Sequence, residues 1–70
     1  MPKITRDTKL TEAWQMAIRR EKAAFDFYTQ ALEVVDDPAL RSLFTYLAGE
    51  EKKHWTMLQD EYDKHFMPDN

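Results

Sequence analysis

The sequence predicts an all-α protein: an antiparallel two-helix hairpin that pairs with a second copy to complete a four-helix bundle. Three observations lead there. Apolar residues recur at steps of three and four through two long segments. A single short break, Asp36-Asp37-Pro38, separates those segments, and no stretch alternates with the period-two pattern of a strand. Composition agrees, since 33% charged residues with one glycine and three prolines suit helices with solvated outer faces.

The first helix is expected from about Thr8 or Thr11 to Val35, with strong helix formers at Glu12, Ala13, Met16, Ala17, Ala23, Ala24, Ala31 and Leu32. Asp37 then suits an N-cap, because its side-chain oxygen can accept from the free N–H groups of the next first turn. Pro38 suits the first helical position, where its missing N–H is not needed. The second helix is expected from Pro38 to about Phe66, with Pro68 stopping it. Residues 1–7 and 67–70 read as tails, so residues 1–70 make one domain. So short a turn makes the two helices antiparallel neighbours.

Size demands more than one hairpin. A 70-residue chain buries only about 60% of its unfolded surface and is marginal alone. It has no cysteine, which excludes disulfides, thiolate zinc sites and iron–sulfur clusters, and leaves a metal, an oligomer or both as the stabilising device. Met1 to Thr8 is polar and no apolar run could span a membrane, so a cytoplasmic protein without membrane partners is expected. The net charge of −3 is spread without a basic face, which argues against nucleic acid as a partner.

Function enters through three polar residues on apolar stripes. The first-helix seam is Leu10, Trp14, Ala17, Glu21, Ala24, Tyr28, Ala31 and Val35, widened by Ile18, Phe25 and Leu32. Glu21 is its one charged member. The second-helix seam is Leu40, Phe44, Leu47, Glu51, His54, Leu58 and Tyr62, interrupted centrally by Glu51 and His54. An ionised carboxylate on a core-facing stripe costs several kcal/mol unless it is paired or binds a metal. The three also share a level. Glu21 lies 15.5 positions before the centre of the turn, and Glu51 and His54 average 16 after it. At about 1.5 Å per residue the offset is roughly 1 Å. Register-setting core polars in a coiled coil are the plainer explanation. A carboxylate and a Glu-x-x-His pair converging at one height favour a metal site instead.

One hairpin supplies only half of such a site. Di-iron carboxylate bundles take a Glu from each of two helices and Glu-x-x-His from each of the other two. Two copies of this chain provide that set, and their four carboxylates balance two divalent cations. The same homodimer covers the apolar stripe that one hairpin leaves open. Oxygen and imidazole ligands suit iron or manganese, with zinc compatible. Two iron ions per dimer are expected, with Glu51 bridging and Glu21 and His54 each serving one metal. The chemistry expected of it is oxidation of Fe(II) by O₂ or peroxide. The alternative is a metal-stapled bundle holding zinc or manganese, with a structural rather than an enzymatic role.

At these residues the chain resembles the rubrerythrin branch of the ferritin-like superfamily. Glu21-Lys22-Ala23-Ala24-Phe25-Asp26-Phe27-Tyr28 is similar to that family's first-helix motif, a ligand Glu followed seven residues later by Tyr. Leu47-Ala48-Gly49-Glu50-Glu51-Lys52-Lys53-His54 is similar to its second-helix motif. The likeness covers about residues 10–66. It implies a ferritin-like bundle, iron ligation by Glu21, Glu51 and His54, and a place for Tyr28 close behind the ligands, hydrogen-bonded near the metals. Family members usually carry both hairpins in one chain, and rubrerythrin peroxidases add a rubredoxin-like domain that feeds them electrons. A single hairpin without that domain implies an external electron donor. It also resembles the ferritin-like proteins packaged inside encapsulin shells, although Phe66-Met67-Pro68-Asp69-Asn70 does not look like a shell-targeting peptide. The extra first-helix glutamate of some members has no counterpart, since position 24 is Ala.

The remaining polar residues are expected at the surface. Glu50 is expected as a solvated charge paired with Lys53, the alternative being an outer carboxylate or iron entry ligand, while Glu61 can pair with His65 and Asp60 with Lys64. Glu12 faces solvent, about 180° from Glu21, and so cannot join Glu61 and His65 in a second site. Trp14, Phe25, Phe44, Trp55, Met57 and Leu58 read as packing residues. Gly49 faces away from the seam at about 1 kcal/mol relative to Ala, with close packing against another subunit as the one reason in view.

Overall fold

The computed structural model describes residues 3–66. It contains two α-helices and no strand among those residues: α1, Leu10–Leu32, and α2, Pro38–Phe66, packed antiparallel as a hairpin. The expected tails 1–7 and 67–70 fall partly outside the described residues, as does Pro68 as the stop of α2.

The two ends of α1 depart from expectation for identifiable reasons. Thr8 does not start it, because its hydroxyl accepts from the Thr5 N–H at 2.9 Å and is committed to a turn over residues 5–8. Lys9 takes the N-cap position in an extended conformation, with no side-chain cap. At the other end α1 stops at Leu32 rather than Val35. The Glu33 N–H reaches back only to the Gln30 carbonyl, and those of Val34 and Val35 both go to Ala31, tightening the last turn. Arg41, one turn into α2, donates from Nη1 to the carbonyls of Leu32 and Val35. A cation thus meets the negative end of the α1 dipole and satisfies two carbonyls.

α2 begins as its sequence dictates. Asp37 Oδ2 accepts from the Leu40 N–H at 2.8 Å, and the Asp37 carbonyl takes the Arg41 N–H at 2.9 Å. Pro38 follows the cap at the first helical position.

Aromatic pairs fix the register between the helices. Tyr28 packs on Phe44 near the turn with ring centroids 5.3 Å apart, Phe25 on Trp55 at mid-length at 6.1 Å, and Trp14 on Phe66 at the open end at 6.3 Å. Gln15 Nε2 adds a hydrogen bond to the Tyr62 hydroxyl at 3.3 Å. Lys22 Nζ lies 5.5 Å from the Trp55 ring centroid while pairing with Asp26.

These contacts use one flank of the α2 apolar band, so Ala48, outside the seam traced from sequence, sits between the helices. It is the one buried residue among those described, at 7% exposure. The hairpin therefore has almost no core of its own. Leu10, Phe27, Leu43 and Met57 all remain at least half exposed. Gly49 does lie on the outside, with nothing within 4 Å of the position a Cβ would take. Neither helix is long and apolar enough to cross a membrane.

Asp37→Ala is expected to cost about 1 kcal/mol through loss of the cap. For a chain of this size that lowers the thermal midpoint by roughly 4–8 °C. Circular dichroism at fixed protein concentration measures it. Asp37→Asn, which keeps an acceptor oxygen, should retain most of the wild-type midpoint.

Candidate metal centre

The three residues singled out by spacing do converge. Glu21 projects from the middle of α1, and Glu51 and His54 project from facing turns of α2. One potential ligand atom from each lies within 4.8 Å of the other two. His54 Nδ1 is 3.5 Å from Glu21 Oε2 and 3.4 Å from Glu51 Oε1. The antiparallel register set by Phe25 and Trp55 produces this meeting, since each aromatic ring is a near neighbour in sequence of a cluster residue.

The cluster is unsatisfied as it stands. Both carboxylates are 22% exposed, while the imidazole is 47% exposed and opens to one side. Glu21 Oε2 is shut off from water and has no hydrogen-bond partner. The contacts with Nδ1 are longer than the 2.7–3.2 Å usual for a nitrogen–oxygen hydrogen bond. A buried acceptor without a partner costs about 1–3 kcal/mol, more when charged. A divalent cation removes that cost, because it binds carboxylate oxygen and imidazole nitrogen together and neutralises the charge. The donor set therefore fits a metal, with Glu21 Oε2, a Glu51 oxygen and His54 Nδ1 as the natural ligand atoms.

The neighbours sort as follows. Tyr28 is half-buried against Phe27 and Phe44, and its hydroxyl has no hydrogen-bond partner among the described residues. Glu50 pairs with Lys53 at 3.1 Å, as expected for a solvated charge. Glu61 meets His65 at 3.6 Å and also takes Lys64 at 3.8 Å, so the expected Asp60–Lys64 pair does not form. Glu12 is exposed. No second group of three ligand-type side chains comes together among the described residues. Sequence reasoning missed no member of the cluster. What it missed is its support: the Lys22–Trp55 contact, Gln15–Tyr62 and the Arg41 clamp. Periodicity carries no signal for these, because each depends on how the helices rotate against one another.

A family model described as Rubrerythrin matches residues 2–62 of the chain. No curated protein and no solved structure matches it.

Titration with Co(II) or Zn(II), followed by calorimetry, should give saturable binding that Glu51→Ala and His54→Ala each abolish. Glu61→Ala serves as the control and should leave it intact. Stoichiometric binding that survives in either cluster variant means that the metal lies elsewhere. Saturating metal should also raise the thermal midpoint, since a ligand at 100 times its Kd stabilises by about 2.7 kcal/mol.

Proposed function

Because the chain belongs to the rubrerythrin family, we propose that it is a di-iron carboxylate protein that binds Fe(II) between two copies and oxidises it with O₂ or peroxide. Its role on this reading is iron handling or protection against oxidants. The observation that carries the reading is the Glu21–Glu51–His54 cluster, with one carboxylate oxygen held out of water and unpaired.

Each hairpin brings two carboxylates and one imidazole, so two copies bring the four carboxylates and two imidazoles that a di-iron bundle uses. Four negative charges then offset two divalent cations. Large apolar side chains stay exposed on both helices, Leu43 at 50% and Met57 at 58% on α2 and Leu10 at 67% on α1. An apolar surface flanking a half-formed polar site suits a self-complementary interface, where one association completes the ligand set and the core together.

Iron bound there supplies the electrons: two Fe(II) lose one each, and with two protons one peroxide becomes two waters. The chain's own residues do the rest. Glu21 and His54 would each hold an ion, and Glu51 would complete the ligand set between them. Phe25 and Trp55 keep water from the flank between the helices. By the family resemblance Tyr28, which packs on Phe27 and Phe44, would offer its hydroxyl as a hydrogen-bond donor near the metals. Return of the ions to Fe(II) for another turnover draws on an external donor.

The near-absence of a core favours a second role for the same ligands. Zinc or manganese held there would staple two hairpins without turnover, since a metal that binds only the folded state contributes directly to folding.

Anaerobic loading with Fe(II) followed by air or peroxide should develop ferric absorption at about two irons per dimer. Oxidation no faster than in buffer sinks the redox reading. Stoichiometric, exchange-resistant zinc in protein purified without added metal selects the structural one.

A further inference from the structure

Lys22 and Trp55 each follow a cluster residue in the chain, Glu21 and His54 respectively. One residue further along an α-helix is a rotation of about 100°, which turns both side chains off the cluster. They are carried to the same flank of the hairpin, and there they meet. Lys22 Nζ stands 5.5 Å from the centroid of the Trp55 ring. Asp26, one turn on from Lys22, holds that ammonium with a carboxylate oxygen at 3.2 Å. Phe25 packs on the same half-buried indole, with ring centroids 6.1 Å apart.

A cation over an aromatic ring is attracted by the negative face of the π system. The attraction becomes repulsion when the ring gives up an electron, because two like charges then stand a few ångströms apart. An indole guarded in this way is harder to oxidise than a free one. The chain has two tryptophans, both half-buried. Trp14 packs beside the rings of His65 and Phe66 and, among the described residues, has no lysine or arginine over its face. The guard is given to the indole next to the cluster.

That placement matters when the metal centre is half filled. Two Fe(II) give peroxide the two electrons that it takes to become two waters. A single Fe(II) gives one, and an oxidisable side chain beside the site is called on for the other. Peroxide, two protons, one Fe(II) and an indole then yield two waters, Fe(III) and an indole radical cation. We propose that Lys22, held by Asp26, guards Trp55 against giving up that electron, so that peroxide reduction at the cluster draws on iron and not on the protein. Lys22 touches neither iron nor peroxide in this role and acts through its charge on the ring. The proposal rests on the redox reading above, whereas the electrostatic guard itself needs no iron.

The two halves are tested apart. Metal-free protein is exposed to a low dose of trichloromethylperoxyl, an uncharged radical that takes one electron from indole. Oxidation at Trp55 and at Trp14 is then measured by peptide mass spectrometry. Lys22→Gln removes the charge and Lys22→Arg keeps it, and the Lys22 side chain is 52% exposed, so neither variant disturbs the packing. The expected result is a ratio of Trp55 to Trp14 oxidation about two- to fivefold higher in Lys22→Gln than in wild type, and unchanged in Lys22→Arg. No rise in Lys22→Gln overturns the guard. An equal rise in Lys22→Arg overturns it too, because the protection then comes from the fit of the lysine chain and not from its charge. The same proteins next receive half the iron that fills the site, followed by peroxide. Trp55 oxidation should again rise in Lys22→Gln, and adding His54→Ala should remove the rise. A rise with the radical but not with iron overturns the role at the cluster. A rise with the radical in protein that develops no ferric absorption overturns the redox reading and leaves the guard standing.

Discussion

A carboxylate oxygen held out of water in the middle of a hairpin, with nothing to bond to, is the constraint around which this molecule is arranged. Glu21 could be spared the desolvation by turning outward, but the α1 seam and the aromatic contacts on either side fix its direction. Glu51 and His54 are brought up to it by the same packing, not by attraction to it, since the separations of 3.4 and 3.5 Å are too long for strong hydrogen bonds. The hairpin thus spends stability on a cluster whose donor set fits a divalent cation.

The same economy appears in the core. Small helical domains normally bury a set of large aliphatic side chains. Here Ala48 alone is buried among the described residues, and several large apolar residues, Leu10, Phe27, Leu43 and Met57 among them, stay at least half exposed. A shortage of core and a shortage of ligands on one face are the same deficiency seen twice. In the proposed dimer one neighbouring surface would relieve both. Folding, assembly and metal binding would then be linked equilibria, with stability depending on protein and metal concentration together.

Around this weak centre the ends of the hairpin are carefully terminated. Asp37 caps α2, and Arg41 reaches back to the last carbonyls of α1, so the turn is held by side chains from both of its borders. Ridge-and-groove packing alone leaves helices free to slide by a turn, which would carry the Glu21 carboxylate away from His54. Aromatic pairs at three heights, with the fixed turn, exclude that slippage.

Much of this was legible in the sequence, because it follows from period and count. Two helical seams, a capped proline start, and three ligand-type residues at equal distances from one turn specify a hairpin with Glu21, Glu51 and His54 at one height. The match of residues 2–62 to the rubrerythrin family agrees with what the two motifs resembled. The sequence did not determine how far each helix is rotated about its own axis. That rotation buried Ala48, left the Tyr28 hydroxyl without a partner among the described residues and brought Lys22 over Trp55. α1 also ends three residues early in a tightened last turn, whose Leu32 carbonyl and the following Val35 carbonyl are taken by Arg41 of α2. Periodicity assigns a residue to a face about 100° wide. Which part of that face meets a neighbour is settled by side-chain volume and hydrogen bonding between elements, and these exist only in the assembled hairpin.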